Sequence, residues 1–168
     1  MDIREATSFD LENIAEVYVK NHTETYKGLL PDEYFRNLTL EHAKNQWTEY
    51  LYDADKKLWV AYSGEGFLGF AAGEEDKSLV GTWYLASLHI TEKARGRGIG
   101  TALIKRMMKY AAANSYSSMS VCIIRGNDNA GDLYKKLGAK HLLYFEDDFC
   151  GTVSNSEKLI WNNLYDKC

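Results

Sequence analysis

The segment best suited to chemistry is the run of residues 91–103, where glycines stand at positions 96, 98 and 100 between Arg95 and Thr101. An apolar strand pattern runs into this loop and an amphipathic helix pattern leaves it. The N-terminus of a helix exposes unpaired N–H groups and a partial positive charge. Glycines let a ligand approach the backbone closely, and Arg95 and Arg97 add charge that can pair with phosphate. The ligand this pattern predicts is a phosphate or pyrophosphate. Two other phosphate motifs fit poorly. A dinucleotide fingerprint GxGxxG counted from Gly96 meets Thr101 at its last glycine, and the chain has no GxxxxGK followed by Ser or Thr. Taken alone, the glycines also fit a plain tight turn ahead of a helix.

Other chemistries have little support. His22, His42, His89 and His141 show no metal-ligand spacing, so no metal is expected. No GxSxG elbow is present. Cys122 lies in an apolar run and reads as a buried thiol. With Cys150 and Cys168 it makes an odd, widely spaced set, which points to reduced thiols and a cytoplasmic location.

The chain has 168 residues, 45% hydrophobic and 26% charged, with a net charge of −4. That length predicts one domain, residues 1–168. The balance lacks the basic surplus of a general nucleic-acid binder. No apolar run approaches the roughly 18 residues of a membrane span, and residues 1–5 lack a signal-peptide core.

The elements that must position the loop are mixed α and β. Residues 3–6 read as a strand, and Thr7 with Asp10 forms a capping-box signal. Leu11, Ile14, Ala15, Val17 and Tyr18 follow at helical spacing, and Gly28 breaks that pattern. Pro31 suits the first turn of a further helical stretch reaching about Tyr52, in one or two pieces. Residues 58–62 and 67–72 flank a Ser-Gly-Glu-Gly turn, and residues 83–90 form a third strand. Alternation along it places Leu85, Ser87 and His89 on one face. Residues 99–111 are helical, 119–124 a strand, and 129–137 a helix ended by Gly138. Residues 140–145 and 158–164 are late strands of a hairpin. The strand-helix-strand step across Gly98 implies a parallel pair, since a crossover helix joins the two strands.

Two motifs in this order carry a resemblance. Arg95-Gly96-Arg97-Gly98-Ile99-Gly100 matches the R/Q-x-x-G-x-G/A signature of the GNAT superfamily of N-acetyltransferases. Residues 127–138, NDNAGDLYKKLG, resemble that family's NxxAxxLYxxxG, and residues 3–7 with Asp10 resemble its N-terminal entry. The resemblance implies an α/β fold with a central mixed sheet flanked by helices, its central parallel strands splayed apart. It implies acetyl-CoA as co-substrate and no metal. Leu88, His89 and Ile90 would hold the pantetheine arm and thioester through backbone groups. Arg95, Gly96, Arg97, Gly98, Ile99, Gly100 and Thr101 would cradle the pyrophosphate. Asn127 would lie beside the pantetheine arm, and Tyr134 near the thioester sulfur as general acid. Without the resemblance, Tyr134 reads as a core aromatic, with Ala130 and Leu137 at helical offsets, and Asn127 as a helix cap.

The implied activity is transfer of an acetyl group to a primary amine of a small molecule or peptide. The alternative is a non-catalytic acyl-CoA-binding sensor or interaction module, favoured only by the lack of an acid in residues 83–90. The general base stays open among His89, Glu24, Glu74, Glu75 and ordered water. Trp47, Tyr50, Tyr52, Trp83 and Tyr84 could line an acceptor pocket, and Glu146-Asp147-Asp148 could attract a cationic amine. The resemblance also raises a homodimer. Gly138-Ala139 and Gly131 depart from the family's usual residues, the latter at about 1 kcal/mol of helix propensity relative to Ala.

Overall fold

A computed structural model describes residues 1–167; Cys168 lies outside the described residues. The elements in chain order are β1 (Asp2–Glu5), α1 (Leu11–Tyr26), α2 (Asp32–Arg36), α3 (Leu40–Tyr52), β2 (Lys56–Ser63), β3 (Gly66–Glu75), β4 (Thr82–Ile90), α4 (Ile99–Ala113), β5 (Ser118–Ile124), α5 (Asp128–Lys136), β6 (Lys140–Phe149) and β7 (Thr152–Trp161). The stretch after Gly28 forms two helices, and Pro31 stands just ahead of α2 with extended backbone. Seven strands form one sheet in the order β1-β2-β3-β4-β5-β7-β6. Among the described residues only the strands β4 and β5 pair in parallel; the other neighbours in the sheet are antiparallel.

Helices cover both faces, so the central strands are buried on both sides and read as nearly unbroken apolar runs. Along β2, Leu58 and Val60 pack with Ile14, Trp47 and Phe70 under α1 and α3. Trp59 and Ala61 turn to the other face and join Leu103, Met107 and Trp161 under α4. No helix among the described residues is long and apolar enough to cross a membrane.

The N-terminal entry is fixed by one buried carboxylate. Asp10 accepts from the Thr7 backbone N–H at 2.7 Å, from both Arg4 guanidinium nitrogens at 2.8 and 2.9 Å, and from the Tyr62 hydroxyl at 2.8 Å. Burial alone would raise its pKa, but these donors outweigh it and hold the carboxyl at about 2.

Three expectations are corrected. The even alternation along β4 fails because the strand carries a bulge at Ala86: Ala72 pairs with Ser87 and the next residue, Gly73, pairs with Leu85. The extra residue reverses the side-chain facing. Leu85 joins the core under α4, while His89 turns to the opposite face and stacks on Phe70 at 5.3 Å between ring centres. The late hairpin is also longer than its apolar segments. Its strands reach Phe149 and start again at Thr152, so Glu146, Asp147 and Asp148 lie within β6. Trp161 ends β7, and a short 3-10 turn takes up Leu164.

Candidate functional site

The parallel pairing of β4 and β5 ends at Leu85 and Val121. Beyond it β4 stays on β3 as far as Ile90, and β5 stays on β7 as far as Ile124. The two central strands therefore splay, and a cleft of about 1030 Å³ opens between them.

The strand edge in this gap is polar. Thr91 N–H donates to the Leu68 carbonyl at 2.9 Å, which makes Leu68 and Thr91 a hydrogen-bonded pair. Alternation along an antiparallel ladder then turns the backbone groups of Leu88 and Ile90 toward the gap and those of His89 toward Phe70. A strand edge without a neighbour strand needs other partners for its N–H and C=O groups. The His89 side chain lines the cleft from the α1 side.

The glycine loop closes one end of the gap. Gly96 and Gly98 have φ of +75° and +79°, and a side chain there would meet open space. These two glycines serve backbone shape and not packing. The α4 ladder begins with Ala102 N–H donating to Gly98 at 3.0 Å, so the amides of Ile99, Gly100 and Thr101 lie ahead of it at the positive end of the helix. Gly100 faces the cleft over Leu88 and Leu133, where a Cβ would be 3.5 Å from Leu133. Arg97 is held outward by Glu65 at 2.7 Å. Arg95 lines the cleft and donates through Nη2 to Asn21 at 2.8 Å and Glu24 at 3.2 Å.

Helix α5 forms the opposite wall. Its Gly131 permits a close approach, since a Cβ there would stand 3.0 Å from the Ile123 side chain. Tyr134 on this helix is buried yet lines the cleft, edge-on to Trp161 at 5.7 Å. Burial, reinforced by Tyr26, raises its phenol above the ordinary value. Asn127 sits at the N-cap position but makes no side-chain cap; its amide stands beside the Tyr26 hydroxyl, facing the cleft.

The other half of the cleft is aromatic. Tyr18, His22 and Tyr26 form an i, i+4, i+8 stripe on α1. His22 shares a hydrogen bond with the Tyr34 hydroxyl at 3.0 Å and packs 5.3 Å from His89. Burial lowers the His22 pKa to about 4; burial, with the nearby His22 and Arg95 charges, lowers that of His89 to about 3. Trp47, Tyr50 and Tyr84 line this half, whereas Tyr52 is exposed and Trp83 lies in the α4 core. Of the acids, Glu74 lines the cleft while paired with Lys56 at 3.3 Å, and Asp147 reaches it from β6. Asp148 instead accepts the Gly151 N–H in the hairpin turn at 2.7 Å. Glu75 is exposed outside the cleft. Among the described residues no group of His, Cys, Asp and Glu is arranged to hold a metal.

The model of the "Acetyltransferase (GNAT) family" matches residues 15–139, three quarters of the chain. The chain belongs to this family. It is 27% identical to the Bacillus subtilis uncharacterized N-acetyltransferase YuaI over 130 residues, covering 74% of this chain and 72% of that one. It is 34% identical to the Bos taurus thialysine N-epsilon-acetyltransferase over 67 residues, which covers 40% of this chain and 39% of the enzyme. Among solved structures, the PaiA N-acetyltransferase from Thermoplasma acidophilum in complex with coenzyme A superposes with a TM-score of 0.70 at 20% identity, covering 93% and 96% of the two chains. The chain is thus a GNAT acetyltransferase with that family's mixed sheet.

Asn21 was not singled out from sequence. A signal was present: Asn21 falls on the same helix face as Ile14, Val17 and Tyr18, where a polar residue needs a partner.

Proposed function

We propose that the protein transfers the acetyl group of acetyl-CoA to a primary amine of a small molecule or peptide. The observation that carries this reading is the splay after Leu85 and Val121, which leaves an unpaired strand edge leading to a helix N-terminus. The residues fit the donor. The amides of Ile99, Gly100 and Thr101 suit its pyrophosphate. The gap-facing groups of Leu88 and Ile90 suit the amides of a pantetheine arm as a strand would. The coenzyme A complex of the PaiA relative supports use of an acyl-CoA donor on this fold. The thialysine enzyme, named for a small amine, supports the acceptor class.

In the reaction the amine attacks the thioester carbonyl and a thiolate leaves. The Ile90 N–H is placed to receive developing charge on the carbonyl oxygen. Tyr134 would assist the departing sulfur. Its raised pKa keeps the O–H protonated at neutral pH. A phenol above 10 is a weaker acid than a thiol near 8.5, so complete transfer is uphill by at least about 2 kcal/mol. Donation of a hydrogen bond, with proton transfer as the C–S bond breaks, is the role that fits; the proton lost by the attacking amine leaves through water in the cleft and restores the phenol. His22 and His89 are neutral at pH 7 and supply hydrogen bonds and aromatic walls to the acceptor half.

The test is release of free thiol from acetyl-CoA against a panel of small amines and peptide N-termini. Amine-dependent release supports the enzyme. Saturable acetyl-CoA binding without release for any amine favours a binding module on the same fold.

A further inference from the structure

The cleft has two halves on different elements, a donor half on β4, the glycine loop and α5, and an acceptor half largely on α1 and α3. Among the contacts that join them is one buried amide. Asn21 on α1 is 6% exposed. Its Nδ2 donates to the carbonyl of Ile90, the last residue of β4, at 3.0 Å, and its Oδ1 accepts from Arg95, which opens the glycine loop, at 2.8 Å.

Both ends of the amide are committed, so only one orientation works. A flipped amide would set N–H against guanidinium and oxygen against carbonyl. The Ile90 carbonyl belongs to the edge that faces the gap, so Asn21 supplies the partner a neighbouring strand would have given. Arg95 reaches both Asn21 and Glu24 through Nη2, which leaves Nη1 and Nε for a phosphate. Two further ties hold α1 here, Arg95 to Glu24 at 3.2 Å and Lys20 to Glu92, in the turn before the loop, at 2.8 Å. The same helix carries Tyr18, His22 and Tyr26 in the acceptor half.

We propose that Asn21 is a positioning residue that couples the two halves: a pyrophosphate held in the loop fixes Arg95, and Arg95 through Asn21 fixes α1 and its acceptor-facing stripe. This rests on the donor placement proposed above. It acts through contacts that differ between the empty and filled loop, as any ligand-driven shift must.

The test uses ADP, which carries a pyrophosphate but no arm to reach the acceptor half. The reporter is the indole N–H resonance of Trp47, whose ring lies 5.2 Å from Tyr18; it is assigned by its loss in Trp47→Phe. Saturating ADP should shift this resonance in the wild type. In Asn21→Leu, ADP should still bind within about threefold, because the loop amides are untouched, but the Trp47 shift should fall to less than half, the Arg95–Glu24 contact carrying what is left. Asn21→Ala should behave likewise, since it removes both hydrogen bonds while keeping a good helix former. It serves if the leucine variant does not fold, and thermal melts identify that case. An undiminished Trp47 shift in a folded Asn21 variant, or none in the wild type at saturation, overturns the coupling while leaving the donor site standing. Failure of the wild type to bind both ADP and acetyl-CoA overturns the donor placement, and the coupling with it.

Discussion

Burial moves Tyr134 and the two cleft histidines further toward their neutral forms. The Tyr134 phenol is protonated at pH 7, so Tyr134→Phe removes only an O–H. Turnover should fall by about 10²-fold or more, while the acetyl-CoA dissociation constant stays within about twofold. Equal turnover by the variant would remove Tyr134 from the chemistry. His22 and His89 lie near 4 and 3, below the ordinary value of about 6.5. Their folded values are depressed, so the fold favours the neutral rings. The linked stability is complete above about pH 6.5 and drains as pH falls toward those values. Asp10, held at about 2, adds stability that is present above about pH 4 and is lost on descent through 2. Melting temperature should therefore start to fall below about pH 6.5 and fall further below 4. A melt unchanged between pH 7 and 4.5 would contradict the histidine assignment. None of this was visible in residue types: His89 read as a base candidate until the bulge at Ala86 turned it against Phe70.

Among the elements, the loop and helix α4 were the most legible from sequence, because glycine spacing and helical periodicity are local signals. The Asn21 bridge was not, because its partners lie 69 and 74 residues away. The bulge in β4 and the long hairpin were missed for a related reason. Pairing register is set by neighbours, and the polar residues of β6 gave no alternation to read. The glycines separate into two kinds. Gly98→Asp forces a side chain into φ of +79° and places charge at the phosphate site. It should weaken acetyl-CoA binding at least tenfold, measured by calorimetry. Gly100→Ala would put its Cβ in ordinary contact with Leu133 at 3.5 Å, so its melting temperature should stay within about 2 °C of wild type. A large loss of stability in Gly100→Ala would mean that the helix start is packed more tightly than described.

For the whole molecule, the central sheet is at once the core and the site. Two apolar cores lock β2, β3 and the start of β4, and the open gap begins where β4 and β5 part. A ligand filling that gap replaces the missing strand contact, so binding should stabilise the entire fold. At a hundred times its dissociation constant, a ligand specific for the folded state adds about 2.7 kcal/mol. At roughly 2–4 °C per kcal/mol for a chain of this size, acetyl-CoA should raise the melting temperature by about 5–10 °C. The order of elements and the splayed parallel pair were readable because two motifs lay in sequence on either side of a crossover helix. The aromatic half of the cleft was not, because it is assembled from α1, α3, β3, β4 and β6, and no single stretch of sequence contains it.

The most direct test is calorimetric titration of the wild-type protein and Gly98→Asp with acetyl-CoA, with NAD as the control ligand. The splayed-strand donor site predicts saturable binding of one acetyl-CoA per chain, at least tenfold weaker binding in the variant, and no binding of NAD. A folded wild type that takes up no acetyl-CoA, or binds it as tightly after the Gly98 substitution, would contradict it.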